Sequence, residues 1–189
     1  GPTPPPPFTD GYRASGVLLH VTSLPSRYGI GDVGPGALAW IDRLHESGQR
    51  WWQALPVGPT GYGASPYQAL SSFAGNGLLL SFDWLIEDEL LRSSDCAGRT
   101  FPADRVDYAA VIAFKQGLLD TLWARFREGR RPDLRTAFEE FGRDQAYWLD
   151  DYALFRALKA EHDGAYYLEW PDELVRREPG ALARARKAL

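Results

Sequence analysis

Trp51-Trp52-Gln53-Ala54-Leu55-Pro56-Val57-Gly58-Pro59-Thr60-Gly61-Tyr62-Gly63-Ala64-Ser65-Pro66-Tyr67-Gln68 starts as a short apolar run and breaks into a loop rich in rings, prolines and glycines. The run from Arg50 to Leu55 predicts a strand. In the loop, Pro56, Pro59 and Pro66 fix φ, while Gly58, Gly61 and Gly63 admit backbone angles closed to other residues, so it can be ordered without a regular ladder. Upstream, Val17 to Val21 is an apolar run suited to a buried strand. Between the two, Ala37, Leu38, Trp40, Ile41 and Leu44 recur at helical spacing before Gly48. Strand, helix, strand is one parallel crossover unit, and the fold class it predicts is α/β.

Further along, Leu78 to Phe82 predicts an extension or structured edge, and Ser93 to Arg105 an inserted loop. From Asp107 the periodicity is helical. Tyr108, Val111, Ile112, Leu118, Leu119, Leu122 and Phe126 mark one apolar face. Asp133 is placed to cap a shorter helix carrying Leu134, Phe138 and Phe141 and closed by Gly142. Trp148, Tyr152, Phe155 and Leu158 mark another face, and a last helix follows Pro179, which suits a first helical position. Aromatic stripes at this spacing predict core. The opening residues 1–11 predict a Pro-rich, disordered leader, since a polyproline backbone is satisfied by water.

The composition, 44% hydrophobic and 24% charged with a net charge of −4, is that of a globular chain and argues against capture of nucleic acid or an anionic membrane. Cys96 is the single cysteine, so no intrachain disulfide can form. A reducing compartment follows, and with no secretory segment and no apolar run of the roughly 20 residues that span a bilayer, the expected location is cytoplasmic.

The loop's chemistry points to a sugar. A pyranose has an apolar C–H face and a rim of hydroxyls, matched by flat aromatic faces beside neutral polar groups. Tyr62, Tyr67, Trp51 and Trp52 supply rings, with Ser65 and Gln68 nearby. The two tryptophans lie in the predicted strand and are expected in the core, whereas Tyr67 follows Ser65-Pro66 in the loop and is the expected contact.

Two other signals compete with this reading. Gly29-Ile30-Gly31-Asp32-Val33-Gly34 satisfies the dinucleotide fingerprint, yet six residues separate it from the strand, and the next strand ends in Ala54-Leu55 without the acid that would hold a ribose. No nicotinamide site is expected; the stretch predicts a tight loop with Asp32 either capping the following helix, the favoured role, or reaching substrate. His20, His45 and His162 are too scattered for a metal motif, so neither metal nor cofactor is expected. His20, in the first strand, predicts a hydrogen-bonded core histidine, and His45 an exposed helix face. Asp150 and Asp151 stand about 100° apart around a helix, so one is expected to face water while the other pairs.

Gly16-Val17-Leu18-Leu19-His20-Val21-Thr22-Ser23-Leu24-Pro25-Ser26, then Tyr28-Gly29-Ile30-Gly31-Asp32, the aromatic loop, and Ser71-Ser72-Phe73-Ala74-Gly75-Asn76 together resemble the amylomaltase or 4-α-glucanotransferase family. The resemblance continues through Val106-Asp107-Tyr108, Trp148 to Phe155 and Glu169-Trp170-Pro171-Asp172-Glu173-Leu174. Gly77 stands where the family usually carries proline, and Tyr166-Tyr167 where it more often carries tryptophan.

The resemblance implies a (β/α)8 TIM barrel, a fold of about 250 residues. In a chain of 189 residues beginning Gly1-Pro2 without methionine, it implies an amino-terminal fragment with the barrel incomplete: 12–92 as its first strands and loops, and 93–189 as a mainly helical insertion. It also implies retaining transfer of α-1,4-glucan segments between maltooligosaccharides, for which two carboxyls are needed about 5–5.5 Å apart. Those acids belong to motifs absent here, so no catalytic residue is assigned and the isolated chain is expected to be inactive. What carries over is the sugar-binding rim: Tyr67, to stack on the glucosyl ring beside the scissile bond, and Ser65, to contact the same region. The implied partners are α-1,4-glucans and a complementing carboxy-terminal part of the same enzyme. A glucan hydrolase on the same scaffold and a noncatalytic glucan-binding or assembly fragment are the alternatives.

Overall fold

The computed structural model describes residues 12–189; the expected leader at 1–11 and the side chain of Tyr62 lie outside the described residues. Two strands, β1 (Gly16–Leu18) and β2 (Trp51–Gln53), pair in parallel, with Gly16 opposite Trp51, Val17 opposite Trp52 and Leu18 opposite Gln53. Each is shorter than the apolar run predicts. Among the described residues each strand has one neighbour, so the ladder reaches only as far as their overlap.

Helix α1 (Pro35–Glu46) makes the crossover. Its N-cap is Gly34, not Asp32, with Pro35 preset at the first helical position. It ends where Gly48 takes φ +73° and donates its N–H to the His45 carbonyl at 2.9 Å. Ala37 of α1 packs with Val21, Leu24 and Leu79, and Trp52 locks onto this cluster by donating its indole N–H to the Leu19 carbonyl at 2.7 Å. The side chains of a strand alternate between faces, so Trp51 turns the other way and is 44% exposed, contrary to the expected core position. His20 also departs from expectation. It lies past β1, just before a 3-10 turn at Val21–Ser23, and its buried Nδ1 has no hydrogen-bond partner.

After the aromatic loop the chain forms a 3-10 turn at Gly77–Leu79 and helix α2 (Phe82–Glu87) instead of an extended edge. Capping side chains decide this. The Asn76 Oδ1 accepts the Leu78 N–H at 3.0 Å, and the Ser81 Oγ accepts that of Trp84 at 3.5 Å, each starting a turn where the apolar run alone would favour extension.

Helix α3 (Tyr108–Arg127) starts at Asp107, whose carboxylate accepts the Ala110 N–H at 3.1 Å. Leu118 of α3 packs with Tyr28, Phe82 and Leu91, and the Tyr28 and Phe82 rings meet edge to face at 5.4 Å. Residues 93–105 contain no helix or strand, as expected of an inserted loop. Phe101 ties this loop down against Phe114 at 5.3 Å, and Asp95 does so through an ion pair with Arg125.

Packing divides the chain into two compact units, one ending at Arg131 and one spanning Pro132–Leu189. The apolar face of α3 belongs to the first unit, packing on Tyr28 and Phe82. The second unit holds α4 (Pro132–Asp144), α5 (Ala146–Glu161), α6 (Asp172–Val175) and α7 (Pro179–Ala188). Asp133 lies inside the first turn of α4 and is not its cap, and the helix runs past Gly142. The aromatic stripe of α4 is not core: Phe138 and Phe141 are half exposed, and α4 buries no residue. Leu154, Leu158 and Trp170 form the core of this unit. Asp151 accepts from Arg177 at 2.6 Å and Arg186 at 2.9 Å, while Asp150 faces solvent, the division expected of adjacent helical acids. Among the described residues, no helix is long and apolar enough to cross a membrane.

Candidate functional site

The loop that leaves β2 is held as a hairpin. Thr60 and Ala69 form an antiparallel bridge; the Leu70 N–H reaches the Pro59 carbonyl at 2.8 Å, and the Gly61 N–H reaches that of Gln68 at 2.9 Å. A Cβ on Gly61 would sit 2.9 Å from the same Gln68 oxygen, so the close crossing of the two limbs requires glycine there. At the tip, Gly63 and Ala64 both take left-handed angles, φ 65° and 54°, and reverse the chain toward Pro66 and Tyr67. On the return limb the Ser71 Oγ accepts the N–H groups of Phe73 and Ala74, each at 3.1 Å.

This hairpin borders an open groove of about 550 Å³ lined by Pro56, Val57, Tyr67, Ser71 and Phe73 among others. Tyr67 is 73% exposed, so its ring is offered to the groove rather than used in packing. Ser65 is half-buried and does not line the groove; its carbonyl accepts the Gln68 N–H at 3.2 Å. The structure therefore places Tyr67 at the groove and Ser65 two residues away in the same turn. Phe73, exposed on the opposite limb, was not singled out from the sequence, although it stands in the Ser71-Ser72-Phe73 stretch that carries the resemblance.

The glycine-rich stretch does not make a phosphate cradle. A Cβ on Gly29 would lie 2.4 Å from the Phe101 ring, and one on Gly34 would lie 2.3 Å from the Ser81 hydroxyl. At both positions the glycine is required by neighbouring protein atoms. Asp32 is buried here, and burial pushes its carboxyl pKa up, opposed by the positive charge of Lys115.

The carboxylates that could attract attention as catalysts are engaged elsewhere. Asp83 accepts from Arg27 at 2.5 Å and from the Tyr28 hydroxyl at 2.7 Å, which, with burial as the larger cause, holds that phenol protonated far into the alkaline range. Asp151 is held by its two arginines. Burial also pushes the His20 imidazole below its ordinary pKa. Among the described residues, no group of three or more His, Cys, Asp or Glu side chains is arranged to hold a metal ion.

Residues 19–189 match the protein family described as 4-alpha-glucanotransferase. The chain is 46% identical over 177 residues to a 4-alpha-glucanotransferase from Thermus thermophilus, covering 94% of this chain and 35% of that protein. It is 47% identical over 172 residues to one from Synechocystis, covering 90% and 34%. An amylomaltase from Streptococcus agalactiae, solved in complex with acarbose, superposes with a TM-score of 0.86 at 37% identity over 94% of this chain and 36% of its own. The chain thus spans about a third of the length of these relatives.

Proposed function

The chain belongs to the 4-alpha-glucanotransferase family, and from that premise we propose that it is the amino-terminal part of an enzyme transferring α-1,4-glucan segments between maltooligosaccharides. The observation that carries this reading is the Tyr67 ring, exposed at a groove on a loop braced by its own hydrogen bonds. A preset aromatic face binds a pyranose with little ordering cost. In this reading Tyr67 stacks on the glucosyl ring beside the scissile bond and Ser65 contacts the same region.

The reading also takes 12–92 as the start of a (β/α)8 barrel and 93–189 as a mainly helical insertion. The parallel β1–α1–β2 unit supports the first part, and the likeness to amylomaltase supports both. The aromatic loop follows the carboxyl end of β2, the end at which barrel enzymes place their sites. Two carboxyls outside these residues then perform a double displacement. One attacks the anomeric carbon to form a glycosyl-enzyme; the other protonates the departing oxygen and later takes the proton of the acceptor hydroxyl. A cytoplasmic location belongs to the same reading, supported by the lone Cys96.

Product analysis of the full-length protein with maltotriose tests it. Glucose appearing with maltopentaose and longer chains supports transfer. Glucose and maltose alone would favour a hydrolase on this scaffold, and no turnover a glucan-binding or assembly role.

A further inference from the structure

Lys115 is 0% exposed, in the middle of the apolar face of α3. A buried ammonium is costly unless its protons find acceptors. Here Nζ donates to the Leu78 carbonyl at 2.6 Å and the Leu80 carbonyl at 3.1 Å, and it sits 4.6 Å from the centre of the Phe82 ring. The carbonyl between them, that of Leu79, accepts the Val33 N–H at 2.9 Å. Three successive carbonyls are thus held, and the Asn76 side chain secures the same turn from its other end through Leu78 N–H at 3.0 Å.

This turn is where the aromatic loop ends. The loop's entry limb leaves β2, fixed by pairing with β1 and by the Leu19 N–H on the Gln53 carbonyl at 3.0 Å. Its exit limb runs from Ser71 through Asn76 into the turn that Lys115 holds. That turn is held by the Lys115 and Asn76 contacts, by the Val33 bond and by Leu79 in its cluster with Val21, Leu24 and Ala37. We propose that Lys115 is a positioning residue for glucan binding: its ammonium clamps the exit limb of the Tyr67 loop to α3 and so fixes the ring at the groove. It acts through the loop and touches no substrate. The role rests on the reading of Tyr67 as the glucan contact.

A loop freed at one end samples more conformations, and the ligand must pay that ordering cost on binding, so the effect belongs in KM rather than in kcat. In the full-length protein, Lys115→Met is expected to raise KM for maltotriose about three- to tenfold with kcat within about twofold. Asn76→Ala, which loosens the same turn without disturbing the core of α3, is expected to shift KM in the same direction and keeps the test decisive should Lys115→Met not fold. In a Tyr67→Ala background, Lys115→Met should add nothing further, because both changes act on one ring. Unchanged KM in folded Lys115→Met or in Asn76→Ala, a loss confined to kcat, or full additivity with Tyr67→Ala would overturn the inference. A wild-type protein that neither binds nor transfers glucan would instead overturn the functional reading, and the inference with it.

Discussion

A Cβ on Gly31 would lie 2.0 Å from the Val21 carbonyl oxygen and 2.8 Å from the Leu24 N and O atoms, so the loop after β1 closes directly onto backbone. On either side the close neighbours are side chains instead, Phe101 against Gly29 and Ser81 against Gly34. The fingerprint of glycines is accounted for here by protein packing on protein.

Gly31→Ala should therefore destabilise the fold by at least the roughly 1–3 kcal/mol of an overpacked core, since the atoms it meets are backbone and cannot rotate away. The wild type should show no heat of binding with NAD or ATP. Micromolar affinity for either, or a Gly31→Ala protein as stable as the wild type, would contradict this account.

Lys115 gives the fold an unusual pH response. Burial lowers its pKa from 10.5 to about 8, only partly offset by Asp32. Between those values the unfolded chain holds a proton that the folded chain has released, so this residue's contribution to stability increases as pH rises through that window and is least favourable below it. The full shift corresponds to about 3 kcal/mol. Comparing urea midpoints of wild type and Lys115→Met from pH 7.5 to 9.5 isolates it, because Tyr28 is common to both. The wild type should gain on the variant with rising pH, and a constant gap would show that the ammonium carries no such penalty.

Lys115 also marks where reading the sequence stopped short. The period of α3 places position 115 on the face shared with Val111 and Leu118, but no local pattern predicts a charge there, since its acceptors, the Leu78 and Leu80 carbonyls, lie more than thirty residues away in sequence. The crossover unit was legible since Val17, the α1 stripe and Trp52 each obey a local period. Trp51 was misplaced because an apolar run does not say which strand face meets the core. Asp32 is buried and Gly34 takes the N-cap of α1, a choice that the local motif does not reveal. Phe138 and Phe141 follow the helical period faithfully, yet a period fixes only which residues share a face and not what covers it. At the groove, the exposure of Tyr67 is legible from the proline and glycine pattern around it, whereas the separation of Ser65 from the groove depends on the turn at Gly63 and Ala64.

Tyr67 presents most of its ring to solvent and supports no core cluster, so its replacement should leave stability nearly unchanged. If it stacks on a glucosyl unit, Tyr67→Ala removes about 1–3 kcal/mol by analogy with base stacking, or roughly tenfold or more in kcat/KM for maltotriose. The full-length protein and its variant should share a melting temperature within about 2 °C while differing in that ratio. Equal kcat/KM would remove Tyr67 from the substrate site and leave the groove without its main contact.

The 189-residue chain alone should not disproportionate maltooligosaccharides. Retaining transfer needs one carboxylate free to attack and one carboxylic acid facing it across the bond, about 5–5.5 Å away. Asp83 is occupied by Arg27 and Tyr28, and Asp151 by Arg177 and Arg186. Asp32 is buried, with 8% of its surface exposed. Incubated with maltotriose, the pure chain should release no glucose and form no longer glucans, while a weak association through Tyr67 would shift ring-proton resonances without turnover. Sustained product formation, retained after host glucosidases are removed and lost in Asp83→Asn, would instead assign catalysis to an acid within these residues.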